Sequence, residues 1–402
     1  MSRTFFCGRK FWLRNAAAPN YHQDFKFKYM RTVGFGHLRV GLAAALGGAA
    51  LFLAFPLSAA AQMPQAAESA AAAPSSTHDG TIYEARYAGL SMGTIVSAKL
   101  YASDEKTAAG LADAFEQKVA EYETLFTVHG DGPLNEVNRR AGQWVPVDCR
   151  IAALVNSAKT IAQKSQSAFE PTIGMLVNVW KIGFGGDKHP QKEDIKKALE
   201  KVDYKRISVD QTPGACRVRI GAGQSLDLGA IAKGWIGTAL VQDMKRAGAE
   251  HGIIDLGGNV ALIENNPSGQ KWRVGVQRPD AERNSILAVV EANAVSVITS
   301  GAYERKIESG GKTYGHILSA VTGEPVSTDL ASVTIIDADG AAADGWCTAL
   351  FAMGSKKALD AAQREGLCVI LISADLKTLW VSRAIADNVK VLDKSMKIKV
   401  VP

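Results

Sequence analysis

Gly252-Ile-Ile-Asp-Leu256, Trp272-Arg-Val-Gly-Val-Gln277, Ile286-Leu-Ala-Val-Val-Glu291 and Val295-Ser-Val-Ile-Thr299 follow one another in close succession. Each run is short, rich in β-branched residues and bounded by Gly, Asn, Pro or Asp, the composition of strands and the turns between them. They arrive as hairpins, not alternating one-for-one with helices. That order predicts an α+β fold with a largely antiparallel sheet flanked by helices, and disfavours a doubly wound one. Ser332–Ile336 and Leu367–Ile372 read as further strands. Helices come from a different period. Leu111, Phe115, Val119, Tyr122 and Phe126 recur at three- and four-residue spacing. Ile151, Leu154, Ala158 and Ile161 do the same behind Asp148, a fitting N-cap. A third helix is predicted from about Ala230 to Arg246, stopping at Gly248. No internal repeat is visible.

The first 61 residues read as a signal peptide. Arg31, His37 and Arg39 precede an apolar run, Val40–Phe55, and Ala59-x-Ala61 offers a cleavage site. The run falls short of the ~20 residues that a membrane-spanning helix wants, with an uncleaved anchor as the alternative. Residues 1–29 are too long and mixed for an ordinary n-region, which makes Met30 an alternative start. Residues 62–80 are rich in Ala, Ser and Pro with little to bury, and read as a disordered tether. Residues 81–402 then form the folded domain, in a periplasmic protein with no lipid-anchoring cysteine at Ala61-Gln62. The net charge of +6 comes partly from the leader, and no Lys/Arg run with interleaved aromatics follows it, which argues against nucleic acid. The cysteines lack CxxC spacing, so zinc is not indicated. Cys149 with Cys216 is a candidate disulfide in an exported chain. Cys347 and Cys368, in apolar runs, read as core thiols.

Five glycine-punctuated segments combine small residues with polar groups: Ser91-Met92-Gly93-Thr94, Phe169-Glu-Pro-Thr-Ile-Gly174 leading to Trp180-Lys-Ile-Gly-Phe184, Leu226-Asp-Leu-Gly-Ala230-Ile-Ala-Lys233-Gly234, Asp255-Leu-Gly257-Gly258-Asn259, and Thr299-Ser300-Gly301-Ala-Tyr303-Glu-Arg305. Glycine admits close backbone approach, and N–H groups at turns bind phosphate oxygens. Lys233 at a helix start adds charge where the dipole already favours anions. Singly, each segment also reads as an ordinary turn, and no Walker loop or Gly-x-Gly-x-x-Gly is present. The Gly183–Pro190 stretch reads as a loop, a boundary or flap. In Asp344-Gly-Trp-Cys-Thr348, a carboxylate and a hydroxyl four residues apart share one helix face, and hard oxygens there suit a cation such as Mg²⁺. The plainer reading makes Asp344 a helix cap. His316, in Tyr314-Gly-His-Ile-Leu318 before the Thr322-Gly-Glu-Pro325 turn, is a candidate acid or base. Met92 and Trp180 could offer soft or aromatic surface to a ring system, or could be plain core.

In this order the segments resemble the ApbE family, FAD:protein FMN transferases, over about residues 85–383. The resemblance rests on Met92-Gly93-Thr94, Phe169-Glu-Pro-Thr172, Asp227 through Gly234, Asp255-Leu-Gly-Gly-Asn259, Thr299-Ser300-Gly301 with Tyr303-Glu-Arg305, His316-Ile317, and Ala343-Asp344 with Thr348. It implies an ApbE-like, T-fold-related architecture. It also implies Mg²⁺-dependent transfer of FMN from FAD to a Thr or Ser hydroxyl of a partner protein, with release of AMP. The partner would be a flavin-carrying subunit of a membrane redox complex. The metal ligands implied are Asp344, Thr348 and the Ala230 carbonyl, with Lys233 beside them and His316 near the pyrophosphate. The nucleotide would meet Met92, Gly93, Thr94, Trp180, Ala230, Lys233, Gly234, Asp255, Gly257, Gly258, Thr299, Ser300, Gly301, His316 and Ile317. The alternatives are an FAD pyrophosphatase giving free FMN and AMP, and a non-catalytic FAD-binding protein. Two departures stand out. Ser319-Ala320 replaces the usual Asp-Pro, and Thr238 stands where an Asp is common after Lys-Gly.

Overall fold

A computed structural model describes residues 81–402 except 129, 183–184, 187, 282–284 and 302–305. The leader, the tether, Tyr303-Glu304-Arg305 and part of the Gly183–Pro190 loop lie outside the described residues.

Nine strands form one sheet: β1 (Tyr83–Ser91), β2 (Thr94–Ala102), β3 (His251–Leu256), β4 (Asn259–Ile263), β5 (Ser296–Gly301), β6 (Leu330–Asp337), β7 (Cys368–Ser373), β8 (Thr378–Ser382) and β9 (Lys397–Val401). Their order across the sheet is their order along the chain. Every neighbouring pair is antiparallel except β8 with β9, which run parallel. The helices are α1 (Glu105–Phe126), α2 (Pro133–Arg139), α3 (Cys149–Lys164), α4 (Gly174–Trp180), α5 (Lys192–Leu199), α6 (Ala232–Arg246), α7 (Gly340–Met353) and α8 (Ser355–Glu365). The α+β expectation therefore holds.

The two-residue period of the strands divides the core into two. Val333, Ile335, Val369 and Leu371 point to the helices, where they pack with Phe115, Leu154, Trp346 and Leu350. Ile336, Ile370 and Ile372 point to the other face. There they meet Val274, Val276, Leu287 and Val290 from a second antiparallel sheet of Trp272–Gln277, Ile286–Ala292 and Val389–Val391. The sequence read Trp272–Gln277 and Ile286–Glu291 correctly as strands but could not show that they leave the main sheet to cover its back.

Caps end the helices where their chemistry allows. Asp104, Asp148 and Asp339 each accept a backbone N–H at a helix start. The last of these corrects one expectation. Asp339 caps α7, which begins at Gly340, so Asp344 is neither a cap nor in the first turn. The i, i+4 relation of Asp344 and Thr348 survives, one turn further along. The predicted third helix begins at Ala232, after Gly229 and Ala230, which line the turn before it.

Helices α6 and α7 cross at Gly234 and Gly340. A Cβ on Gly234 would collide with the Gly340 carbonyl, and one on Gly340 with the Gly234 carbonyl. Thr238 Oγ1 accepts the Gly340 N–H at 3.0 Å and lies 3.3 Å from the Gly234 carbonyl, to which it donates. The residue that departs from the family's usual Asp therefore ties the two helices together here.

The Cys149–Cys216 pair is bonded, joining the start of α3 to the chain just before the Arg217–Arg219 strand. Cys347 is a buried free thiol, as expected. Cys368 is buried too but is disulfide-bonded, and is not the plain thiol that the sequence suggests.

Gly340→Ala should destabilise the domain by about 1–3 kcal/mol, because overpacking at the crossing must separate two helices. Urea melts followed by circular dichroism would check this, and an unchanged midpoint would mean that the crossing gives way freely. Reducing Cys149–Cys216 should cost about 2–4 kcal/mol in the same melt.

Candidate active site

Four glycine-bearing turns meet at one edge of the helical layer and enclose a cleft of about 660 Å³, within the range of small-molecule and cofactor sites. Two are tight hairpins. Between β1 and β2, Met92 and Gly93 have φ of 52° and 69°; between β3 and β4, Gly257 and Gly258 have 67° and 93°. Paired positive φ is what a two-residue hairpin matching the strand twist demands. Met92 takes this conformation at a cost that glycine would avoid. Glu123 on α1 holds the turn, accepting the Met92 N–H at 2.8 Å and the Ser91 hydroxyl at 2.7 Å. Gly257 sits so close to Thr94 that no side chain would fit. Asp255 accepts the Gly258 N–H at 2.7 Å, which makes it a turn-forming residue behind the cleft wall.

The third turn precedes α6. Asp227 accepts the Gly229 N–H at 2.8 Å, and Asn138 clamps the same segment through the Leu226 N–H (2.7 Å) and carbonyl (3.0 Å). Ile231 caps α6 without a side-chain hydrogen bond, so no cap side chain occupies a helix end that favours anions, and the Gly234 N–H of its first turn is met from α7. Ala230, Ala232 and Lys233 line the cleft there, and Lys233 Nζ donates to the Gly229 carbonyl at 3.4 Å. Asp344 approaches from α7. It is 3% exposed, and its Oδ2 accepts the Gly234 N–H at 2.9 Å. Thr348, one turn on, lines the same cleft.

The fourth wall holds Glu170, which the sequence singled out only within its motif. It is 7% exposed, and its carboxylate accepts from Thr172 N–H (3.1 Å), Thr172 Oγ1 (2.8 Å), Tyr204 N–H (3.3 Å) and Ser167 Oγ (3.4 Å). Burial pushes its pKa above the usual carboxylate range, against the pull of those donors. Glu170 is a staple between two loops.

The structure gathers most of the sequence-predicted residues. Met92, Gly93, Thr94, Gly257 and Trp180 line the cleft, as do Thr299, Ser300, Gly301, His316 and Ile317. Gly234, Asp255 and Gly258 do not line it, and act behind the wall through the contacts given above. Trp180 resolves toward core packing. It is 1% exposed, its indole N–H donates to the Gly323 carbonyl at 2.8 Å, and its ring packs on His189 and Tyr314. The Thr299 hydroxyl is paired with that of Thr334 at 2.8 Å. Ser319, in place of the usual Asp, accepts the N–H groups of Val321 and Thr322 at 3.2 Å each, the turn-making role that an aspartate side chain also fills. Glu123, Asn138 and Asn259 also line the cleft and were not singled out as site residues. For Asn259 the signal was present, since it ends the Asp-Leu-Gly-Gly-Asn segment; for Glu123 and Asn138 none was, because Glu123 belongs to a helix read only for its apolar face and Asn138 to a short helix not read from the sequence.

With the geometry in place, comparison identifies the relatives. A model of the ApbE family matches residues 92–371. The FAD:protein FMN transferase of Klebsiella pneumoniae (strain 342) is 34% identical over 299 residues, covering 73% of this chain and 90% of its own. That of Treponema pallidum (strain Nichols) is 33% identical over 328 residues, covering 76% and 89%. Among solved structures, the ApbE protein of Thermotoga maritima superposes with a TM-score of 0.69 at 27% identity, over 76% of this chain and 99% of its own. The Pseudomonas stutzeri flavinyl transferase ApbE gives 0.63 at 26%, over 73% and 92%.

Glu170→Ala should lower stability by about 2–4 kcal/mol, because it strands the Thr172 and Tyr204 N–H groups in a buried loop pair. Thermal melts at neutral pH would test this, and a loss below about 0.5 kcal/mol would show that the staple is dispensable.

Proposed function

The chain belongs to the ApbE family, and from that premise we propose the chemistry of its site: FMN passes from FAD to a threonine or serine hydroxyl of a partner protein, and AMP leaves. FAD:protein FMN transfer is the activity of the curated relatives and of this enzyme; the magnesium, the acceptor hydroxyl and the leaving group are the finer reading. The observation that carries it is the convergence of Ala230, Lys233, His316, Asp344 and Thr348 on one cleft.

The donor set fits a hard cation. A carboxylate, a hydroxyl and the Ala230 carbonyl are all oxygen donors, and Mg²⁺ characteristically takes few protein ligands. Asp344 already has one oxygen engaged by the Gly234 N–H, which sets the carboxylate's orientation. When bound there, Mg²⁺ would neutralise charge on phosphoryl oxygens. The chain's own groups supply the rest. Lys233 and the first turn of α6 stabilise pyrophosphate charge. His316 takes the proton of the acceptor hydroxyl as its oxygen attacks the FMN phosphorus. The bond from that phosphorus to the AMP phosphate breaks, and AMP departs.

Export to the periplasm belongs to the same proposal. The Cys149–Cys216 disulfide supports it, since such bonds persist in oxidising compartments. There the acceptor would be a flavin-carrying subunit of a membrane redox complex.

Incubation of the protein with FAD, Mg²⁺ and a flavin-accepting domain, followed by intact mass and AMP assay, tests the proposal. One FMN should appear on the acceptor per AMP released. AMP with free FMN and an unmodified acceptor would point to hydrolysis instead. Asp344→Ala should abolish turnover, and wild-type rates in that variant with added Mg²⁺ would remove Asp344 from metal binding. His316→Ala should lower kcat by about 10²–10⁴; an unchanged kcat would make it a bystander. Lys233→Ala should raise the Kd for FAD, and wild-type affinity would take it out of the phosphate site.

A further inference from the structure

Asn259 is a polar side chain built into the cleft, and its amide donor meets no acceptor among the described residues. It is the first residue of β4, 5% exposed, and its Nδ2 is buried with no hydrogen-bond partner among the described residues. A buried amide in that state costs the free protein its desolvation, so an uncompensated one at a cleft wall implies a partner that comes with the ligand.

Its neighbours indicate which part of the cleft it serves. Alternation along β4 sends Val260 and Leu262 into the core behind the sheet and Asn259 and Ala261 to the helical side. Ala261 lies under α6, where a Cβ on Gly237 would meet its methyl at 3.3 Å. Across the sheet Asn259 pairs with Ile298 of β5, whose carbonyl lies 3.1 Å from the Cys347 thiol of α7. Asn259 is thus set between the start of α6, which carries Lys233, and the part of α7 that carries Asp344. Asp255 and the Gly257-Gly258 turn fix the chain direction just before it. We infer that the Asn259 amide donates a hydrogen bond to an oxygen of the bound flavin nucleotide, and that the free enzyme leaves this donor unpaired so that the nucleotide satisfies it. The inference rests on the flavin-transferase reading. A phosphoryl oxygen and a flavin carbonyl oxygen share the required acceptor chemistry, and the test separates them.

Asn259→Leu removes the donor while keeping the branched skeleton of the side chain, and Asn259→Asp keeps the shape while replacing the donor with an anionic acceptor. FAD, FMN and riboflavin would be titrated by flavin fluorescence against the wild type and both variants, with thermal melts of each free protein. Both variants should bind FAD about tenfold or more weakly, while the melting temperature of the free Leu variant stays level or rises, because an unpaired buried amide has been removed. A purely structural asparagine would instead lower that temperature and leave FAD affinity in place. If the loss appears with FMN and FAD but not with riboflavin, the oxygen is phosphoryl; an equal loss with all three assigns it to the flavin ring. Wild-type affinity for FAD in both variants would overturn the inference. A wild-type protein that binds no flavin nucleotide would overturn the transferase reading and this inference with it.

Discussion

Two helices approach only as closely as the residues facing each other permit, and α6 crosses α7 where both present glycine. The Gly234 and Gly340 backbones occupy the space that a Cβ would fill. At that spacing two hydrogen bonds join the helices, from Gly234 N–H to Asp344 and from Gly340 N–H to Thr238. One of these also orients the Asp344 carboxylate, the proposed metal ligand. The contact that packs the helical layer is therefore the contact that brings the anion-favouring start of α6 beside Asp344. A larger residue at either position would move both.

The sheet supplies the opposing wall by an equally local device. Because strand order follows chain order, the β1–β2 and β3–β4 hairpins turn at the same edge, and β2 pairs with β3 between them. Their two-residue turns bring Met92-Gly93 and Gly257-Gly258 side by side, with Thr94 filling the place where Gly257 lacks a side chain. Glycine is needed here for φ and for space together, which accounts for its density in segments that also bear polar groups. The third turn, Asp227 through Ala230, is pinned to α2 through Asn138.

Several polar residues of the recurring segments prove to be structural. Glu170 staples loops, Asp255 and Asp227 close turns, and Ser319 makes the turn after His316. Each satisfies backbone N–H groups that would otherwise be buried without partners, and a site assembled from turns needs many such acceptors. Trp180 belongs with them, its indole N–H bonded to Gly323. Asn259 is the contrasting case: a buried donor that the described protein leaves unpaired.

Local sequence placed part of the fold. The β-branched runs read as strands fall within two residues of observed ones, and period-3.6 runs with Asp148 placed α1 and α3, because burying one face imposes the period locally; β1, β8 and β9 and the short helices α2, α4 and α5 were not read from it. It also marked which turns carry glycine and polar groups, and that Asp344 and Thr348 share a helix face. What it could not determine is distance across the chain. That Asp344 accepts a bond from Gly234, that Asn259 lies between α6 and α7, and that Trp272–Gln277 backs the main sheet depend on contacts between residues far apart in sequence. No local period encodes such contacts. That Glu170 is a staple, and that Trp180 is core and not a ring platform, was decided by which buried hydrogen-bond partners lay within reach once the chain had packed.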